Sequence, residues 1–497
     1  MIGNKRIPFP RAGMVARGAV TPYWSLMTVW FDVEDLVRYF HYSPRPTGIQ
    51  RLSFEIYREL AARRCGRELK FCRRGAGASG FRSVHFPALE AGILAAASAA
   101  PASETAAAPA ARAPSDVETF VRKLAPRYRQ PLGQVFRGAE QALAGISGLA
   151  KAGASNITRK AAQGVRIGGH QFDLGGEDVE FAPGDWLVNL GASWDLPYEP
   201  AFLATLRAGG VRFAVLIYDL IPELFPEWTI PSSAGAHRTW LMETVPQADA
   251  VFAISQCTAG DLTRQMAAAD KHAPAPVVLP VVLPVGGVSH QASGAACPVG
   301  EPYVLLVSTL EVRKNHLLMF RLWRRLLNNL PADQVPALVF AGKPGWLTAD
   351  LLQQLANCNW LDGKIRYFPG PSEPELAALY ENCLFTVFPS FYEGWGLPVT
   401  ESLSFGKTVA AANRAAIPEA GGDFCAYYDP DNLDDAYNVV AGLIQQPARV
   451  AALEARIAAS FRAPGWADTA AAILDALAPA AARAEPPGVM ASVQSRR

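Results

Sequence analysis

Short runs of β-branched and apolar residues recur along the chain, and behind each one apolar positions return every three or four residues. Tyr303-Val304-Leu305-Leu306-Val307-Ser308-Thr309 is such a run, followed by a helical stripe through Leu317, Phe320, Leu322 and Leu326. Phe213 to Ile217, Asp249 to Ser255 and Cys383 to Ser390 read as further strands. Near the start, Val29 to Asp35 reads as a strand end and Ile49 to Arg63 as a helix. Alternating strands and helices predict an α/β fold with parallel sheets covered by helices on both faces.

Residues 279–302 are punctuated by Pro and Gly, the composition of a hinge. This divides the chain into a Rossmann-like domain over 1–285, a linker over 286–302 and a second Rossmann-like domain over 303–478, closed by helical sequence around Phe461 to Leu474. Beyond it, 479–497 turns to Ala, Pro, Gly and Ser, which predicts a disordered tail. An Ala-rich stretch from 88, running on to about 170 with few long apolar runs, reads as an insertion in the first domain.

Composition adds bounds. At 497 residues, 50% hydrophobic and net charge +1, the chain has the size of two or three soluble domains and a balance that requires neither acidic nor basic partners. Seven scattered cysteines lack metal-ligand or disulfide spacing, which fits a reducing cytoplasm. No run reaches the ~18 to 20 apolar residues of a membrane span, and the opening residues lack a signal-peptide core. One region departs from the even charge: between Arg112 and Arg166 stand ten Lys/Arg against three acids. With Phe120, Leu124, Phe136 and Leu143 it could lie peripherally on an anionic membrane surface, or be a solvated linker. No nucleic-acid recognition motif accompanies it, so nucleic acid is not an expected partner.

The candidate chemistry begins with Glu393 and Glu401, in a stretch that reads as strand end, glycine-rich turn and helix start. Gly394 and Gly396 would let backbone approach a ligand, and the helix after Trp395 and Leu397 would offer N–H groups to a phosphate. Alone, such a pair also fits two solvated glutamates on a capped surface helix. Arg313 and Lys314 follow strand 303–309, where open α/β sheets bind ligands, and could neutralise a diphosphate or be a solvated basic pair. Gly48 precedes a helix at a turn where a ligand could approach the backbone. Strand 213–217 delivers Tyr218 and Asp219 to a loop; Asp219 could position a hydroxyl or cap a helix. Asp429-Pro430-Asp431 reads as a turn in preference to a metal site.

Taken together, Val307 to Asn315, Phe340 to Trp346 and the turn carrying Glu393 resemble the family 4 retaining glycosyltransferases, whose fold is GT-B, two Rossmann-like domains with a cleft between them. The resemblance implies that Lys314 and Arg313 contact the donor diphosphate, Glu393 the transferred hexose and Glu401 the ribose. It also implies that the segment around Phe368 meets the base and that Gly48 lies in the cleft. The family often has His-Asp where this chain has Tyr218-Asp219, which weakens any role that needs an imidazole. The expected catalytic set is thus Glu393, Lys314 and Asp219, with Arg313, Gly394, Trp395, Gly396, Leu397, Glu401 and Phe368 on the donor and Gly48 and Tyr218 toward the acceptor. The implied activity moves a hexose, mannose from GDP-mannose, to a surface glycan or lipid-linked oligosaccharide in the cytoplasm or at the inner membrane face. The donor is a co-substrate, and no metal or other cofactor is expected. Two alternatives stand beside it: a sugar-nucleotide epimerase, and a non-catalytic sugar-nucleotide-binding scaffold of a glycan assembly complex.

Overall fold

The computed structural model describes residues 27–43, 48–63, 65, 67–75, 80–99, 164–167, 170–280, 295–463 and 465–478. Two sheets organise them. The first contains β1 (Thr28–Asp32), β2 (Glu68–Arg74), β3 (Phe81–Val84), β6 (Trp186–Asn189), β7 (Arg212–Ile217), β8 (Ala250–Ala253) and β9 (Val277–Val278), while β4 (Gly164–Ile167) and β5 (His170–Asp173) form a separate hairpin. Its order is β3-β2-β1-β6-β7-β8-β9, parallel except for the β2–β3 pair. The second sheet is fully parallel and contains β10 (Tyr303–Val307), β11 (Ala337–Ala341), β12 (Ile365–Phe368), β13 (Thr386–Phe388), β14 (Val409–Ala412) and β15 (Cys425–Tyr428). Its order is β12-β11-β10-β13-β14-β15.

Each sheet starts at its centre, grows to one edge, then returns to grow the other way. This leaves a crevice beyond the strand ends where the direction reverses, between β1 and β6 and between β10 and β13. The architecture is therefore GT-B, two Rossmann-like domains.

Burial on both faces explains why the strands read as unbroken apolar runs. Val29, Phe31 and Val188 pack on one side of the first sheet, Trp30, Leu187 and Val215 on the other. In the second sheet Leu306, Phe340 and Trp323 form one core and Leu305, Val339 and Tyr380 another.

Several expected boundaries move. The strand at Val29 stops at Asp32, whose carboxylate accepts from the Glu34 N–H at 2.9 Å and starts a helix over Glu34–Tyr42. The Ala-rich stretch from 88 does not begin an insertion: Phe86–Ala99 is a helix whose Leu89 and Ile93 are buried in the first core. The basic segment 112–166 lies outside the described residues except for the start of the β4–β5 hairpin, and so does the membrane reading placed on it. The tail 479–497 and most of the linker 286–302 also lie outside them. At the linker's end, Val299 already packs into the second domain's core.

The closing helix, Trp466–Ala476, does not belong to the second domain. Ala470, Ile473, Leu474 and Leu477 are buried in the first domain's core, and the Thr469 hydroxyl donates to Pro280 O at 2.5 Å. The chain thus crosses between domains twice. No helix among the described residues is long and apolar enough to cross a membrane.

Because Ile473 is fully buried in that core, Ile473→Ala is expected to destabilise the first domain by about 2–5 kcal/mol. Urea unfolding followed by circular dichroism would measure it, and an unchanged midpoint would mean that the crossing helix is not packed there.

Candidate active site

After β10 the chain makes a single tight turn over Val312–Lys314, then places Asn315 in the left-handed region at φ 54° before helix His316–Asn329. Asn tolerates this conformation better than most residues. Its amide also donates to Pro430 O at 3.2 Å, which anchors the turn from behind. The turn points Arg313 and Lys314 across the crevice toward the segment following β13.

That segment carries Glu393. Lys314 Nζ donates to its Oε1 at 2.5 Å, and Arg313 Nη1 lies 2.6 Å from its Oε2. Arg313 also donates to Tyr392 O at 2.5 Å and to Glu311 Oε1 at 2.6 Å. Glu311, only 3% exposed, thus fixes the guanidinium from the far side. It was not singled out from sequence; its place two residues before Arg313 in a buried turn is the signal that could have found it.

The two turn glycines serve different needs. Gly396 has φ 117° and caps helix Leu397–Ser404, a conformation that a side chain would strain. At Gly394 the constraint is contact: a Cβ there would stand 2.2 Å from Tyr218 O. The close approach expected for a ligand is taken by the first domain's backbone instead. Trp395 and Leu397 lie partly buried against the first domain's core, and Trp395 lines a separate cavity with Gln256, Leu279 and Phe461.

Glu401 is buried on the helix that follows, with partners of its own. Tyr380 donates to its Oε2 at 2.9 Å, and Arg51 of the first domain lies 3.3 Å from its Oε1. Arg51 was legible only as part of the string after Gly48. Gly48 itself is exposed at the start of helix Gly48–Ala62, and the chain enters it from a helix where a strand was expected. Phe368 ends the edge strand β12; its carbonyl accepts from Gly342 N at 3.0 Å and its ring packs on the second domain's core.

On the first domain's side, Tyr218 is buried, and its hydroxyl donates to Leu190 O at 2.5 Å. Asp219 accepts from Ile221 N at 3.0 Å and so starts a short helix, while its carboxyl also lies in the field of Arg313. Both readings of this residue therefore meet at one place. Asp429 and Asp431 share Arg414 in an exposed turn.

Burial and the neighbouring Arg313 pull Lys314 below its ordinary pKa despite Glu393. Burial opposes the charge on Glu393 too, but Arg313 and then Lys314 outweigh it and hold the carboxyl down at about 2. Burial pushes Asp219 up, against Arg313. A depressed acid stabilises the fold above its unfolded pKa near 4.5, and that contribution is lost as pH falls toward 2. The full loss is about 3 kcal/mol. Urea unfolding from pH 5 to pH 3 is expected to show a shallower acid slope for Glu393→Gln than for the wild type; parallel slopes would mean that the pair is not formed.

Residues 293–457 match the family described as Glycosyl transferases group 1. The O-antigen chain mannosyltransferase B of Escherichia coli is 33% identical over 170 residues, 34% of this chain and 39% of that protein. The serotype-specific mannosyltransferase WbdA of Escherichia coli is 26% identical over 282 residues, 53% of this chain and 34% of that protein. Among solved structures, a UDP-forming alpha,alpha-trehalose-phosphate synthase from Burkholderia xenovorans aligns with TM-score 0.45 at 14% identity, over 59% of this chain and 72% of that one. The chain thus spans between a third and two fifths of the length of these curated relatives. The matched segment holds β10 to β15 and the whole Arg313, Lys314, Glu393 and Glu401 constellation. The similarity to the group 1 glycosyl transferases thus covers the second domain, residues 293–457.

Proposed function

We propose that this chain is a retaining glycosyltransferase that moves a hexose, mannose from GDP-mannose, onto a growing surface glycan or lipid-linked oligosaccharide. The observation that carries the reading is the cluster at the crevice of the second sheet, where two half-buried cations from one strand end meet one buried carboxylate from the next. The mannosyltransferase relatives support the choice of sugar.

Departure of the sugar from its diphosphate builds negative charge on the leaving phosphate. Lys314 and Arg313 are the groups suited to receive it, since preorganised cations in a site shielded from water stabilise developing charge without reorganising. Glu393, already ionised between them, would face the transferred hexose. Glu401 would take the ribose hydroxyls in exchange for Arg51, because a carboxylate can accept two hydroxyl hydrogen bonds. Asp219, across the seam, is placed to orient the attacking hydroxyl. Retention would follow if that hydroxyl attacks from the face the phosphate leaves. The reading needs no metal or other cofactor, and places the protein in the cytoplasm or at the inner membrane face.

The test is a panel of GDP-mannose and other sugar nucleotides, with and without saccharide and lipid-linked acceptors, following free nucleotide and glycosylated product. Acceptor-dependent release with product formed is the expected outcome. Lys314→Ala and Glu393→Gln should each lower turnover ~10²-fold or more with the fold intact by circular dichroism. Near-native turnover in either variant would sink the assignment. Donor consumed without acceptor would favour an epimerase, and donor bound but never turned over would favour a scaffold.

In the same panel Glu401→Gln should weaken nucleotide binding about tenfold, the effect of one hydrogen-bonded charged group. Calorimetry with GDP reads this directly; unchanged affinity would remove Glu401 from the ribose.

A further inference from the structure

A cavity of about 300 Å³ opens beside Asp219 and Arg313, which line it together with Tyr218. Its walls include Trp194 and Trp228 of the first domain and Trp346 of the second, with His237 among the lining groups. Trp346 Nε1 donates to Trp228 O at 2.7 Å, so the wall closes across the domain seam. Trp228 is stacked between Phe225 and Phe391, at 4.3 and 5.7 Å between ring centroids, which holds its plane.

The polar end of the cavity is unusual. His237 is 4% exposed, and its Nδ1 has no hydrogen-bond partner among the described residues. The Glu223 carboxylate lies 3.7 Å from that nitrogen with its side chain 1% exposed, and both its oxygens also lack a hydrogen bond. The nearest cation is Arg238, 3.8 Å away and largely in solvent. A buried polar group without a partner costs about 1–3 kcal/mol, so an unsatisfied pair next to a cavity points to a ligand that would satisfy it.

The lining selects the ligand's chemistry. A pyranose ring has an apolar face of C–H bonds that packs on an indole and an edge of hydroxyls that both donate and accept, matching an aromatic wall with a few convergent polar groups. Arg313 is the one Lys or Arg among the described lining residues, and the transfer reading assigns it to the donor diphosphate, which leaves a phosphate ester no further cation there. Burial also holds the His237 imidazole neutral, with its pKa pulled down to about 4.

We infer that this cavity is the acceptor subsite and takes the terminal ring of a neutral saccharide, stacked on the tryptophans with its hydroxyl edge toward His237, which Glu223 backs from outside the lining. The inference rests on the transferase reading for the word acceptor. Sugar binding in the cavity is measurable without turnover.

The experiment titrates the full chain with methyl mannoside, mannobiose and mannotriose, and in parallel with inositol phosphate, following tryptophan fluorescence, with GDP affinity measured separately by calorimetry. Trp346→Ala removes a side chain that is 41% exposed, and His237→Phe keeps a ring among Trp194 and Trp240 while removing the nitrogens that could bond a ligand. Neutral saccharides should quench saturably, each variant should weaken them about tenfold, and GDP affinity should not move. A merely structural role would lower both affinities together. The site is overturned if no saccharide saturates, if both variants bind it like the wild type, or if inositol phosphate binds more tightly. Saccharide bound here with no product from any donor would overturn the transferase reading and leave the cavity a sugar site.

Discussion

The sharing of one carboxylate by two cations is the constraint around which the second domain's crevice is built. Glu393 is buried and Lys314 and Arg313 are largely so, and Lys314 comes from a different strand end 79 residues earlier in the chain. Charges removed from water must be paired or they shift to their neutral forms. Glu311 behind Arg313 supplies a second anion, so the cluster stays near neutrality while keeping its cations fixed. Two turns from separate strands must therefore hold register to within a hydrogen bond. This accounts for the left-handed Asn315 on one side and the glycine-rich turn on the other.

The domain seam depends on the same turn. Tyr218 O sits where a Cβ of residue 394 would be, and Thr258 Oγ1 reaches Gly394 O at 3.5 Å. Glu419 of the second domain accepts from the backbone N–H groups of Gln256 and Cys257 at 2.8 Å each, at the positive end of helix Gln256–Ala268. Arg51 reaching Glu401 adds a third polar tie. These polar ties exchange with water and with a polar ligand, while Trp395 and Leu397 pack on the first domain's core and Phe391 stacks on Trp228 across the same seam.

The catalytic cluster and the aromatic cavity meet at Asp219 and Arg313. The paired cations stand at the second domain's strand ends, with Asp219 and Arg51 facing them from the first, and the aromatic surface is the first domain's with Trp346 borrowed from the second. A donor that carries a diphosphate and an acceptor that presents a ring would thus approach surfaces of opposite character.

The alternation of apolar strands with helical stripes was enough to read α/β layering and two parallel sheets, because strands buried on both faces have no freedom to be polar. Arg313-Lys314 and the Glu393 turn were also legible, since strand ends and glycine-rich turns have local signatures. What local patterning did not carry is whatever is decided by partners far apart in sequence. The helix Trp466–Ala476 lies in the first domain because its apolar face fits that core, and the Ala-rich helix Phe86–Ala99 is core because Leu89 and Ile93 find a sheet to cover. The reason for Gly394 is a carbonyl from the other domain, Glu401 turns out to be tied to Arg51, and His237 and Glu223 stand out only once three tryptophans enclose the space beside them. Periodicity and turn chemistry are short-range properties of the chain, whereas pairing of buried charge and enclosure of a cavity exist only after the chain has folded.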